Sequence, residues 1–190
     1  MKTAIFSYIP FQHNNFDYIK GVIKIARDQK IDTIEGVLTS TLIYMNAIDY
    51  ISAHLMENLV EIDCLITNYE LGGVVFRNDY VRKNVELGKI IDELDRYDFP
   101  DKKYFLDDLK IFKNKRNKIA HRLLSLTQKE LDGEIDEDLK ILRSTAEELL
   151  AKYDIIVKGV SGSWGNYIQK VIAIQDKQTI NNEESPTSKK

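Results

Sequence analysis

The chain has 190 residues, a net charge of −3, 43% apolar and 30% charged side chains. That length suits one domain with a real core, and the composition suits a soluble helical protein. The negative balance excludes indiscriminate binding to nucleic acid, which depends on neutralising many phosphates.

Residues 1–14 carry Pro10 and a polar Gln-His-Asn-Asn run and read as an irregular or short extended lead-in, with His13 a surface histidine. Asn14 or Asn15 can cap a helix in which Phe16, Ile19, Ile23 and Ala26 line one side. Asp32 with Glu35 marks a second helix start. A four-three pattern then runs through Ile34, Leu38, Thr41, Met45, Ile48, Ser52, Leu55, Leu59 and Ile62. No proline or glycine falls between Gly36 and Gly72, so this helix is long, with a break allowed near Glu61–Asp63. Val37, Tyr44 and Ile51 widen its apolar face, which predicts burial on more than one side. Asp49 and His54 lie off the main stripe. His54 reads as a surface or hydrogen-bonded histidine near Glu57 or Asn58.

Gly72-Gly73 ends that helix; no Lys-Ser/Thr follows, so the pair is a turn and not a phosphate cradle. A third helix is expected from about Asp79 to Tyr97, with Gly88 at a close helix crossing. Pro100 is the expected first residue of a fourth helix, where its missing N–H costs nothing. Phe105, Leu109, Phe112, Ile119 and Leu123 draw its apolar stripe. Thr127 and Glu130 have capping-box spacing. They precede a charged amphipathic helix through Ile135, Leu139, Leu142, Ala146, Leu149 and Leu150 to about Ile156. Residues 159–165, rich in glycine and serine, read as a loop with Trp164 packing back on the bundle. Ile168, Val171 and Ile172 fit a last short helix, a strand being the alternative. From about Lys177 the chain is polar and reads as a disordered tail. The expected fold is all-α, an up-and-down bundle of about five helices, one domain over 1–176 with a tail over 177–190.

Cys64 stands alone, which removes a disulfide framework and a cysteine-based metal site. The three histidines are too scattered for a zinc pattern. No signal peptide or membrane-length apolar run is visible, so a cytoplasmic protein with no metal, cofactor or membrane contact is expected.

The fourth helix concentrates the chemistry. Lys110, Lys113, Lys115, Arg116, Lys118 and Arg122 form a basic island, followed by an acidic run from Glu130 to Asp138. Such an island can hold a phosphate backbone even when the total charge is negative; a solvated helix face is the plain alternative. Arg116 falls in the middle of the apolar stripe, between Phe112 and Ile119. A guanidinium is poorly placed there unless an anion meets it. Asn117 and His121, four apart, share another face, roughly 140° from Arg116 to His121 on a straight helix. Arginine's length, a distorted helix or a neighbouring subunit has to close that gap if the two act together.

Arg116-Asn117, three further residues and then His121 resemble the R-x4-6-H signature of the HEPN family, a likeness that extends over about residues 30–160. Members are compact helical domains, often dimeric, and many cut RNA without a metal. The resemblance implies a homodimer that sets two copies of Arg116 and His121 around one cleft, with Asn117 orienting the phosphate or His121. It also implies Lys113, Lys115, Lys118 and Arg122 on the RNA backbone, and Asp49 as the acidic partner of Arg116. A solvent-facing carboxylate is the other reading of Asp49. Such cleavage needs a base for the 2′-OH proton, an acid for the departing 5′-oxygen, and cationic donors for the phosphorane. An imidazole can serve either proton step, and a guanidinium suits the third role. The implied function is a metal-independent endoribonuclease, a toxin or phage-defence component with a protein inhibitor as a further partner. The alternative is a non-catalytic helical dimer of the same fold that binds RNA or a protein. Some toxin members carry a modifiable tyrosine two residues after the histidine; Leu123 stands there in this chain.

Overall fold

The computed structural model describes residues 6–12, 16–30, 32–70, 86–122, 127 and 134–183, with side chains described from 137 to 177 in the last span. Five helices are placed: α1 (Phe16–Asp28), α2 (Ile34–Glu70), α3 (Leu87–Leu94), α4 (Lys102–Ala120) and α5 (Glu134–Glu183). No strand occurs among the described residues. The all-α bundle expected from the sequence is therefore the fold. α5 packs along α4 and α2, α1 closes against α2, and α3 fills the corner between α2 and α4.

The core follows the apolar stripes. Phe16, Ile19, Ile23 and Ala26 of α1 are buried, as their spacing predicts. On α2 both edges are buried, including Val37, Tyr44, Ile48, Ile51 and Leu55. They meet Phe105, Leu109 and Phe112 of α4 and Leu142, Leu149, Tyr153 and Ile156 of α5 in one cluster. A helix with so wide a buried face has no reason to break, and α2 runs without interruption past Glu61–Asp63. Its cap is Thr33, one residue later than expected: Thr33 Oγ1 accepts the Gly36 N–H at 3.1 Å. Gly36 is required there, because a Cβ would overlap the carbonyl oxygen of Lys30.

Three local details refine the sequence expectation. The described third helix begins at Leu87, after Glu86, which is extended at ψ 139°; the expected start near Asp79 lies outside the described residues. Pro100 is not the first residue of α4. It sits at the second position of a turn closed by Lys102 N–H to the Phe99 carbonyl at 3.2 Å, and Asp101 takes φ 56°. Proline followed by a positive φ is the type II arrangement. Gly88 marks no unusually tight crossing, since a Cβ there would make only ordinary contact with the Lys113 side chain.

The largest correction concerns the C-terminal third. The loop expected over 159–165 and the separate element after it are both part of α5, which is 50 residues long. The stripe Leu149, Tyr153, Ile156, Val160, Trp164 and Val171 stays buried straight through the glycines. Each glycine weakens a helix by roughly 1 kcal/mol relative to alanine, less than the burial of one such side chain returns. Gly159 is there for another reason: its Cβ would lie 2.6 Å from Pro100 Cγ, so the α5 backbone passes directly over that turn. Trp164 does pack back on the bundle, as expected, donating its indole N–H to the Tyr8 carbonyl at 2.9 Å. α5 also continues to Glu183, beyond Lys177.

The lead-in is tied down more firmly than its composition suggests. Asn58 Oδ1 accepts from the Tyr8 hydroxyl at 2.9 Å and from the Phe11 N–H at 2.7 Å. Phe11 is buried with φ 62°. His13, Asn14, Asn15, Leu123 and Glu130 lie outside the described residues.

Candidate functional site

The C-terminal half of α4 exists because Phe105, Leu109, Phe112 and Ile119 anchor one face of it in the core. The stripe position they leave open is Arg116, and the anion required there is Asp49 of α2. Arg116 Nη1 donates to Asp49 Oδ1 at 2.9 Å. Their side chains are 29% and 37% exposed, so the pair sits at the rim of the core with water beside it. Burial pushes the Asp49 carboxyl above its ordinary pKa, and the Arg116 charge and hydrogen bond only partly offset that.

α4 ends where its last carbonyls find turn partners. The His121 N–H donates to the Asn117 carbonyl at 3.3 Å and the Arg122 N–H to the Ile119 carbonyl at 2.8 Å. The Asn117 and His121 residues are both exposed, so one chain turns Arg116 toward α2 and His121 toward solvent.

No protein-family model, no curated protein and no solved structure matches the chain. What this helix end can do follows from its own side chains. Among the described residues no group of three or more His, Cys, Asp or Glu side chains could hold a metal ion. No described helix is long and apolar enough to cross a membrane.

The basic island divides into two parts. Lys115 Nζ and Lys118 Nζ converge on the two carboxylate oxygens of Asp138, at 2.7 and 2.5 Å. The Asp138 side chain is only 7% exposed. The hydrogen bonds from Lys115 and then Lys118 hold its carboxyl below the usual range, against the opposing effect of burial. Two of the four cations expected on an RNA backbone are thus ion-paired within the chain, with the Lys118 side chain still half exposed. Lys113 is half-buried beside Gly88 at the start of α3. Arg122 is half-buried at the end of the helix. The clasp by Asp138 was not visible in the sequence, although its ingredients were. Two lysines three apart face the same way on a helix, and an acidic run follows in the next element.

The other histidine within the described residues is structural. His54 is buried, its Nδ1 lies 2.6 Å from the Tyr153 hydroxyl, and its ring stacks on Tyr50. Its carbonyl accepts the Asn58 side-chain amide at 2.8 Å.

Proposed function

We propose that this chain is an endoribonuclease of the HEPN type that cuts RNA without a metal, with a second copy of the chain completing the site. The observation that carries the reading is the Arg116–Asp49 pair. It holds a guanidinium at the rim of the core by one carboxylate, half-exposed, on the same helix end as an exposed Asn117 and an exposed His121. A guanidinium has five N–H donors, so Arg116 keeps donors for phosphate oxygens while Asp49 fixes its direction. His121 is free to meet solvent and substrate. In the reaction, a base removes the 2′-OH proton and the 2′-oxygen bonds to phosphorus. The bond to the 5′-oxygen breaks and an acid protonates it, leaving a 2′,3′-cyclic phosphate and a 5′-hydroxyl. One chain supplies one motif imidazole, so the acid and the base come from two copies arranged about a two-fold axis. Asn117 positions the phosphate or His121. A role as a toxin or phage-defence component, restrained by a protein inhibitor, fits such an activity.

A second reading is favoured by one observation: Arg116, Lys115 and Lys118 are all ion-paired within the chain. A non-catalytic dimer of the same fold, using the basic face to bind RNA or a protein, needs no donor free for a transition state and can rely on the cations that stay unpaired.

Expression in a bacterial host separates the two. The intact chain is expected to slow growth, with His121→Ala and Arg116→Ala each relieving the arrest at equal protein level and unchanged oligomeric state. Purified protein in EDTA should release fragments ending in cyclic phosphate. Growth arrest that survives both substitutions leaves the binding reading in place.

A further inference from the structure

Lys115 and Lys118 are both held by Asp138, so the unpaired cations that α4 shows to solvent are different ones. Lys103, Asp107, Lys110, Asn114, Asn117 and His121 recur at four-three spacing, and every one of them is exposed. At 100° per residue, Lys103, Lys110 and Asn114 lie within about 20° of His121 on one edge of the helix. At a rise of 1.5 Å per residue that edge is about 27 Å long. Tyr104 stands beside its far end, 63% exposed, and Ile111 lies exposed two turns further along. Lys152 Nζ, held by Asp108, lies 6.0 Å from the centre of the Tyr104 ring, which buttresses the ring from α5. Among the described residues neither Lys103 nor Lys110 enters an ion pair.

We infer that this edge is a track for single-stranded RNA, with phosphates on Lys103 and Lys110, a base stacked on Tyr104, and the strand led to His121. The inference rests on the reading above for the polymer and for His121 as the reacting end; it adds which residues hold the strand. A polyanion fits the edge because two lysines flank its single carboxylate, Asp107, and so offer two separate phosphate contacts. A protein partner fits less well, since interface centres are depleted of charge and this edge alternates charged and amide side chains. An unpaired strand fits better than a duplex because an exposed phenol can stack only on a base that is splayed out. The edge spans about eight nucleotides at the 3.4 Å spacing of a stacked strand, fewer if the strand is stretched.

The test is anisotropy of a labelled, uncleavable 2′-O-methyl strand of about twelve nucleotides, compared with its duplex. The full chain should prefer the single strand. Tyr104→Ala should weaken binding about tenfold, and Tyr104→Trp should restore it. Lys103→Gln with Lys110→Gln should flatten the plot of log affinity against log salt by about 1.4. Equal binding of strand and duplex, with Tyr104→Ala unchanged, overturns the track. If the chain cuts RNA, loses this with His121→Ala, and ignores Tyr104→Ala, the track fails and the nuclease reading stands. If the strand binds with the predicted losses but nothing is cut, the track stands and the nuclease reading fails.

Discussion

Arg27 of α1 grips Glu147 of α5 with two guanidinium nitrogens, whereas Arg116 of α4 meets Asp49 of α2 through one. Tyr44 of α2 adds its hydroxyl to Glu147 at 2.6 Å. Nearby, Arg143 caps the Ala26 carbonyl at 3.1 Å. The two carboxylates respond in opposite directions. Burial pushes Glu147 up, but Arg27 and Tyr44 more than offset it and hold the group below its ordinary range. At Asp49 burial prevails and the carboxyl is raised. A carboxylate saturated with donors from two other helices is a staple of the fold. A carboxylate with one donor, beside an arginine with donors to spare, is what the proposed phosphate site requires.

The largest difference should appear in stability. Glu147→Gln removes the charge that Arg27 and Tyr44 both face and is expected to cost about 1–2 kcal/mol by urea denaturation, the larger loss because two partners are affected. Equal losses at Glu147 and Asp49 would erase the distinction between the pairs. Acid titration sharpens it further. Glu147 and Asp138 have depressed folded pKa values. Their contribution is complete above the ordinary carboxylate range and is lost as pH falls through the folded values, below about pH 5. Asp49 is raised, so its sign is reversed: it favours folding most at low pH, and that advantage fades as pH rises through its folded value. Glu147→Gln should therefore flatten the acid loss of stability and Asp49→Asn should steepen it. Asp138→Asn should cost about 1–2 kcal/mol. Freeing Lys115 and Lys118, it should also steepen the salt dependence of oligonucleotide binding by up to about 1.4. The smallest effect is that of Asp49→Asn on stability at neutral pH, within about 1 kcal/mol, because one hydrogen bond is affected and burial already disfavours the Asp49 charge.

Much of the bundle was legible because its helices bury periodic stripes. Phe16 to Ala26, both edges of α2, and Phe105 to Ile119 were readable from spacing alone, and so was the misfit of Arg116 among them. Asp49 as its partner came from the resemblance; only the helix crossing shows that the two meet. Gly159, Gly162 and Gly165 concealed the continuity of α5, because composition outweighed the stripe through Val160 and Trp164. Gly159 reports contact with Pro100, a tertiary fact with no local signature. The pairing of Lys115 and Lys118 was hidden for the same reason: like charges on one helix look alike until the neighbouring helix supplies Asp138.

The most direct measurement of the proposed activity is single-turnover cleavage of RNA by the purified chain in EDTA, wild type beside His121→Ala. Removal of an imidazole that acts as acid or base should slow the reaction by about two to four decades, with urea stability unchanged because His121 is exposed. A change below about threefold, or cleavage that disappears for the wild type on chelation, would contradict the account.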